Sequence, residues 1–301
     1  MFGDVKIGPV LPFHSPSTEP TELYFSLVKR MSISGVQSKF SLRIMNGKLD
    51  LTTAGGQYIL KPVPTGLFRE LDQVPANEHL TMQIARQVFG ITVPPNAFIR
   101  FIDGHPGYLV KRFDVHPDGT RYLQEDFAQA GGMSEVTHGK DYKYDFSYEE
   151  IGALIRKHIP MHRVELEKFF RLVVFNYLFS NGDAHVRNFS MMRSGAGDQV
   201  LTPAYDLLCT RIHAPGESDM ALTLFRDGFS AEFEKIGFCT RVDFRLTGKK
   251  LGIREQRVER IITDMTSEQE QVQLMTERSF LREDLKALYL VHYRDKLGRM
   301  K

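Results

Sequence analysis

Residues 181–206, NGDAHVRNFSMMRSGAGDQVLTPAYD, place Asp183, Asn188 and Asp206 at a spacing that indicates a hairpin. Asn188 follows Asp183 by five positions, and Asp206 lies beyond two short apolar segments separated by glycines. A strand, a glycine-containing turn and a second strand are typical of a β-hairpin, which would bring Asn188 and Asp206 to the same open end. Asp183 lies just outside that end, in a turn that an Asn-Gly pair begins.

The side chains at this end supply hard oxygen ligands of the kind that Mg²⁺ prefers, and Mg²⁺ usually shares its coordination shell with phosphates. An Asp followed five residues later by Asn, with a second Asp beyond a hairpin, is the arrangement of a protein-kinase catalytic loop and its metal-binding Asp. There the first Asp accepts the proton of the acceptor hydroxyl. A surface hairpin whose Asp and Asn only stabilise turns is the alternative, and this stretch alone does not decide between them.

Composition limits the possible classes of protein. A chain of 301 residues is long enough for one two-lobed domain or two packed domains. A formal net charge of +2 does not argue for direct binding of nucleic acid. No apolar run approaches the ~20 residues of a membrane span, and the N-terminus does not resemble a secretory signal. Cys209 and Cys239 form no CxxC motif and fit a reducing compartment. We therefore expect a soluble, cytoplasmic protein without a membrane partner.

The small-residue stretch at 32–38 is predicted to be a loop that runs into a strand. Ser32, Ser34, Gly35 and Val36 lie in this loop, where backbone N–H groups could face an anion. A single glycine is weak support for an anion site, and an ordinary hairpin connection is the alternative. A short helix at 21–30 is predicted to precede the loop.

Lys61 ends a short apolar strand, at a position suited to reach the α- and β-phosphates of a nucleotide. A helix is predicted over residues 77–89, closed by Gly90. Glu78 lies in its first turn, where it either complements the helix dipole or pairs with Lys61 as a kinase glutamate does. The sequence leaves these two interpretations open.

Two further strands are predicted at 96–102 and 108–113. From their order in the chain, we expect the second to lead from a small lobe to a large one, so that backbone groups around Val110–Phe113, including Lys111 and Phe113, would meet adenine. After this point the hydrophobic pattern becomes helical, with a capping box at Ser147 and a nearly wholly buried helix that leads into the Asn-Gly turn.

We therefore predict an α+β, two-lobed, protein-kinase-like fold with a β-rich N-terminal lobe and a mainly helical C-terminal lobe. The predicted boundaries are an N-terminal arm at 1–20, a nucleotide-binding lobe at 21–115 and a catalytic lobe at 116–301. Further helices are predicted near 254–263, 267–278 and 281–297, at the end of the catalytic lobe.

Several segments, in order along the chain, resemble the HipA family of bacterial serine/threonine kinase toxins, and most closely its short HipT-type members. The GDxHxxNFS and TPxYD motifs are specific to that family. The matching segments are SISGVQSKFSL at 32–42, YILKP at 58–62, NEHLTMQIA at 77–85, VKRFDV at 110–115, LQEDFAQ at 123–129, NGDAHVRNFS at 181–190 and LTPAYDLL at 201–208.

The resemblance implies an ATP- and Mg²⁺-dependent protein kinase with specific roles for five of these residues. Asp183 would receive the proton of the substrate hydroxyl, and His185, in the same motif, would support it. Asn188 and Asp206 would bind Mg²⁺, and Lys61 would bind the phosphates of ATP.

The resemblance also implies regulation by autophosphorylation at Ser32 or Ser34, in the loop whose Gly35 and Val36 would contact the nucleotide. A phosphoserine adds nearly two negative charges beside the phosphates of ATP and should expel the loop or weaken nucleotide binding. One departure concerns Lys111, where HipA carries a glutamate, and it leaves the adenine contacts there open.

The partners implied by the resemblance are an aminoacyl-tRNA synthetase as substrate and an antitoxin with a helix-turn-helix domain, so that any DNA contact is indirect. A toxin of a type II toxin–antitoxin system, which halts translation, is thus the leading interpretation. A small-molecule phosphotransferase of the choline or aminoglycoside kinase type is the alternative. A non-catalytic protein that senses ATP is a third, less favoured because the chain retains all the phosphate-transfer residues.

Overall fold

A five-stranded antiparallel sheet forms the first part of the fold, with the strand order β2-β1-β3-β5-β4. Its strands are β1 (Phe40–Met45), β2 (Lys48–Leu51), β3 (Tyr58–Pro62), β4 (Asn96–Arg100) and β5 (Pro106–Lys111). One face buries a small apolar core that includes Leu42, Leu60 and Leu109. Lys61 is paired with Tyr108 across the β3–β5 ladder, which places it in the centre of the sheet.

The computed structural model describes residues 1, 6–16, 38–66, 68–116 and 118–301. The helix predicted at 21–30 lies outside these residues. So does most of the predicted small-residue loop, including Ser32, Ser34, Gly35 and Val36.

The first described stretch of the N-terminal arm runs along the edge of the sheet. The backbone N–H of Leu11 donates to Arg100 O at 2.7 Å, and that of Arg100 donates to Pro9 O at 2.9 Å. The side chain of Leu11 is buried in the same apolar core as the strands. Backbone pairing and burial therefore attach this stretch to β4.

Helix α1 (Val74–Gln87) packs against the sheet and carries Glu78 toward it. It begins three residues earlier than predicted, because Pro75 fits the first turn, where a backbone N–H is not needed. Leu80 and Ile84 form its buried stripe. Gly90, with φ of 62°, ends the turn after the helix, as predicted.

A second, three-stranded antiparallel sheet with the order β6-β7-β8 contains the hairpin predicted from the opening motif. Its strands are β6 (Gln124–Asp126), β7 (Ser190–Arg193) and β8 (Gln199–Leu201). Gly197, with φ of 90°, lies in the turn of the hairpin. The hairpin is confirmed. Strand β6 was not predicted, because three residues are too few to show a strand pattern in the sequence.

Helices and the loops between them form most of the remaining described chain and enclose the larger apolar core. They are α2 (Phe127–Ala130), α3 (Glu135–His138), α4 (Tyr148–His158), α5 (His162–Leu178), α6 (Ala231–Ile236), α7 (Arg241–Lys250), α8 (Glu255–Ser267), α9 (Gln269–Glu277) and α10 (Glu283–Arg299). The buried helix before the Asn-Gly turn is α5, and its Phe169, Phe170 and Val173 are fully buried.

This architecture is the predicted α+β, two-lobed kinase-like fold, with a curled antiparallel sheet beside a mainly helical part. The predicted C-terminal helices correspond to α8, α9 and α10, whereas α6 and α7 were not predicted. Cys209 and Cys239 are free, buried thiols. Within the described ranges, no helix combines the length and apolar character needed to cross a membrane.

Candidate active site

Lys61 on β3 forms the centre of a buried charge cluster. Its Nζ atom lies 2.6 Å from Glu78 Oε1 and also bonds Asp206 Oδ1. Lys61 is 5% exposed and Glu78 is 2% exposed, so the ion pair is shielded from water. Because an unpaired charge at this depth is strongly destabilising, each member depends on the others. The sequence leaves open whether Glu78 complements the helix dipole or pairs with Lys61. The structure shows the pairing with Lys61.

The three charges fix the protonation state of the lysine. Burial lowers the pKa of Lys61, but the carboxylates of Asp206 and Glu78 more than offset this effect and hold that pKa above its ordinary value. Burial raises the pKa of Asp206, yet the ammonium groups of Lys39 and Lys61 outweigh it and leave the pKa well below the usual range. The site therefore presents a charged lysine and a charged aspartate.

Asp206 is held in an uncommon backbone conformation, with φ of 55°. Non-glycine residues adopt this left-handed region infrequently, although Asp and Asn do so more readily than others, and such conformations are concentrated at functional sites. The side chain of Asn181 donates to the backbone carbonyl of Asp206 at 3.3 Å. Asn188 Nδ2 donates to Asp206 Oδ2 at 3.5 Å, so the hairpin brings Asn188 and Asp206 together as predicted.

Asp183 and His185 lie on the loop that precedes the hairpin. The Asp183 side chain is 53% exposed, and its Oδ1 atom lies 4.0 Å from His185 Nε2. Burial lowers the pKa of His185 to about 4, so this imidazole is neutral at pH 7. The backbone N–H of His185 donates to Asn188 Oδ1 at 3.1 Å. The backbone at His185, rather than its imidazole, therefore helps to orient Asn188.

Gly182 connects the loop that carries Asp183 to the segment after Asp206. Its backbone N–H donates to Thr210 Oγ1 at 2.7 Å, and the Thr210 hydroxyl contacts Glu217. A Cβ atom at Gly182 would lie 2.6 Å from Ser218 O, so only glycine fits without displacement. These contacts connect the position of Asp183 to the segment after Asp206.

The remaining predicted site residues lie at the junction of the two parts. Lys111 ends β5 with an exposed side chain, and its backbone N–H donates to Pro95 O at 2.8 Å. The ring of Phe113 stacks on Tyr205, next to Asp206 in the chain, with centroids 5.9 Å apart. The described contacts do not join the Lys111 side chain to the Lys61 cluster.

Three residues of the site were not predicted. Lys39 Nζ lies 3.7 Å from Asp206 Oδ2. Tyr144 contacts Asp183, and Glu217 lies close beneath Gly182. Lys39 immediately follows the small-residue loop, a position that could have indicated an anion contact. Tyr144 and Glu217 reach the site only through tertiary folding, and their local sequence carries no such signal.

Asn188 and Asp206 are the residues that would hold a magnesium ion here; Asn188 Oδ1 accepts from the His185 backbone N–H, and its Nδ2 faces Asp206. Among the residues described, no group of three or more His, Cys, Asp or Glu side chains is arranged to hold a metal ion. Mg²⁺ commonly uses one or two protein oxygens together with substrate phosphates and waters. Two side chains beside a charged lysine are therefore compatible with an ion that arrives with a nucleotide.

The fold and this set of residues define a protein of the kinase class. A family model described as HipA-like C-terminal domain matches residues 31–273. The chain belongs to this family.

Similar proteins agree with this assignment. A Haemophilus influenzae protein named "Putative kinase" is 30% identical over 284 residues, covering 89% of this chain and 81% of its own. A Shewanella oneidensis protein named serine/threonine-protein kinase toxin HipA is 27% identical, covering 69% of this chain and 50% of its own.

Solved structures share the fold. HipA in the Shewanella oneidensis complex of HipA, HipB and operator DNA superposes with a TM-score of 0.64 at 24% identity, over 89% of this chain and 63% of that one. The Helicobacter pylori proinflammatory kinase CtkA superposes with a TM-score of 0.57 at 15% identity, over 86% of this chain and 90% of that one. The chain thus spans about half of the HipA toxin sequence and most of the Haemophilus and Helicobacter proteins.

Proposed function

We propose that the protein is an ATP- and Mg²⁺-dependent serine/threonine protein kinase that acts as the toxin of a type II toxin–antitoxin system. The buried contact of Lys61 with both Glu78 and Asp206 is the observation that carries the proposal. A surface hairpin with turn-forming residues gives no reason to bury Lys61 and Glu78 in contact beside Asp206, whereas phosphate transfer requires a fixed ammonium beside a metal-binding carboxylate.

In this proposal each residue has a separate task. Lys61, oriented by Glu78, binds the phosphates of ATP. Asn188 and Asp206 hold Mg²⁺, which supplies positive charge to the phosphate oxygens when bound. Asp183 accepts the proton of the acceptor hydroxyl while the oxygen of that hydroxyl forms a bond to the γ-phosphorus. The bond from that phosphorus to the bridging oxygen breaks, and ADP leaves with the bonding electrons.

The loop containing Ser32 and Ser34 is the proposed site of inactivating autophosphorylation. It ends immediately before the stretch that carries Lys39, whose ammonium lies 3.7 Å from an oxygen of Asp206. A phosphoserine in this loop would bring nearly two negative charges toward a site that must already accept the phosphates of ATP. Repulsion then weakens nucleotide binding.

For substrate and partners, the proposal follows the family. The proposed substrate is an aminoacyl-tRNA synthetase, and the proposed partner is a helix-turn-helix antitoxin through which any contact with DNA is made. The structure named for HipA, HipB and operator DNA supports this choice of partner by likeness. The toxin would act in the cytoplasm, where translation takes place.

Labelled ATP and a cell lysate test the proposal. The wild-type protein should label one protein band and gain mass in steps of one phosphoryl group when incubated alone with Mg²⁺ and ATP. Asp183→Asn should lose both activities while keeping its melting temperature. Label that appears only in small molecules would favour the small-molecule phosphotransferase instead, and full activity of Asp183→Asn would end the kinase proposal.

A further inference from the structure

The hydroxyl group of Tyr144 forms a hydrogen bond with Asp183, the residue proposed as the catalytic base. Its phenol donates a hydrogen bond to Asp183 Oδ1 at 2.6 Å. The ring stands edge-on to His185, with centroids 5.5 Å apart and an angle of 72° between the planes. Tyr144 lies in a single 3-10 turn between α3 and α4, 39 residues from Asp183 in the chain, so the contact is purely tertiary.

We propose that the Tyr144 hydroxyl occupies the acceptor-hydroxyl position on Asp183, so that it keeps water from Asp183 Oδ1 until a substrate hydroxyl displaces it. This inference rests on the proposed function. A general base must lie within hydrogen-bond distance of the proton that it removes. A hydroxyl that donates to Asp183 therefore has the same relation to the base as an acceptor side chain.

The protonation state of the phenol agrees with this role. Burial, followed by the hydrogen bond to Asp183, raises the pKa of Tyr144 above its ordinary value. The phenol is therefore protonated at neutral pH and donates to the carboxylate, as a serine or threonine hydroxyl would. Lys143 places its ammonium 4.8 Å from the centroid of the Tyr144 ring, which adds a cation–π contact from the same turn.

The position of Tyr144 also allows displacement. Its side chain is 38% exposed, and the Asp183 side chain is 53% exposed. The residues from Glu135 to Asp141 are exposed as well. The segment from Ser134 to Ser147 is fixed at both ends, because each of these serines forms a capping box with the helix that follows it. A rotation of the exposed Tyr144 side chain would free Asp183 without moving Tyr142, which packs on the core.

Hydrolysis of ATP tests the proposal with water as the acceptor. Tyr144→Phe keeps the ring and removes only the hydroxyl, so the rate of Mg-ATP hydrolysis without protein substrate should rise about fivefold, with the KM for ATP unchanged. Tyr142→Phe is the matched control, because Tyr142 lies in the same turn and packs on the core. It should leave hydrolysis at the wild-type rate. Tyr144→Ala should also raise hydrolysis.

Other outcomes would overturn the inference. A slower or unchanged rate for Tyr144→Phe would mean that the phenol positions the base or has no role. Phosphotyrosine at residue 144, detected by mass spectrometry, would mean that the phenol is itself an acceptor. Failure of the proposed function would look different from failure of this inference. In that case the wild-type protein would not bind Mg-ATP in a titration, and Asp183→Asn would not abolish any hydrolysis.

Discussion

The side-chain amide of Asn77 bonds both backbone groups of Cys209. Nδ2 donates to Cys209 O at 2.9 Å, and Cys209 N donates to Oδ1 at 3.0 Å. Asn77 precedes Glu78 on α1, and Cys209 follows Asp206 by three residues. This buried contact therefore fixes the helix that carries Glu78 relative to the segment that carries Asp206, and it sets the geometry on which the Lys61 cluster depends.

Asn77→Ala should destabilise the protein and weaken nucleotide binding together. The substitution leaves a buried N–H and a buried C=O without their partner, and each such group costs about 1–3 kcal/mol. We expect the free energy of unfolding in urea to fall by about 2–6 kcal/mol. Gln87→Ala, at an exposed position on the same helix, is the control. Equal losses for the two variants would show that the Asn77 contact contributes nothing particular.

Gly182→Ala should displace the loop of Asp183. The added Cβ would lie 2.6 Å from Ser218 O and 2.7 Å from Glu217 Cδ. We expect a loss of stability of about 1–3 kcal/mol and a fall in phosphate transfer, because the loop must shift. Gly216→Ala is the control, since no described atom lies within 4 Å of a Cβ built there. A fully active Gly182→Ala protein would contradict the close packing.

Glu217→Gln should change how stability depends on pH. Burial raises the pKa of Glu217 to about 7, above the ordinary value that it regains on unfolding. The folded state therefore holds this proton more tightly, and its stability falls as pH rises from about 4.5 through about 7. Glutamine removes that charge, so the variant should be more stable than wild type at pH 8, by about 1–3 kcal/mol, and nearly equal at pH 4.5.

Thermal unfolding between pH 4.5 and 8.5 measures this difference. Glu234→Gln, which changes an exposed carboxyl group in α6, serves as the control and should leave the pH profile unchanged. If Glu217→Gln and wild type kept a constant difference in melting temperature across this range, Glu217 would not titrate as described.

The parts of the fold that leave a local signal can be predicted from the sequence. The hairpin follows from its glycine-bearing turn, and α5 follows from apolar residues repeated at helical spacing. The helix α7 shows why other parts cannot. Its polar residues and Gly248 weaken the helical pattern. That glycine is needed for packing, since a Cβ there would lie 2.4 Å from Val258 Cγ2 on α8.

The candidate site shows the same division. The spacing of Asp183, Asn188 and Asp206 is local, and by itself it indicates that the three side chains share one end of a hairpin. The direction of the Glu78 side chain, by contrast, depends on how α1 packs against the sheet, so the sequence leaves its role open. Tyr144 lies in a surface turn 39 residues from its partner. No periodicity or motif near it carries information about that contact.

The proposed function requires Asn188 and Asp206 to hold a magnesium ion that arrives with ATP, beside Lys61. Titration calorimetry with a non-hydrolysable ATP analogue, with and without Mg²⁺, tests it most directly. Asp198→Asn is the control, because Asp198 is exposed at the closed end of the same hairpin. We predict that Mg²⁺ strengthens binding at least about tenfold, or about 1.4 kcal/mol, in wild type and Asp198→Asn but not in Asp206→Asn. Equal Mg²⁺-dependent binding by Asp206→Asn and wild type would contradict the account.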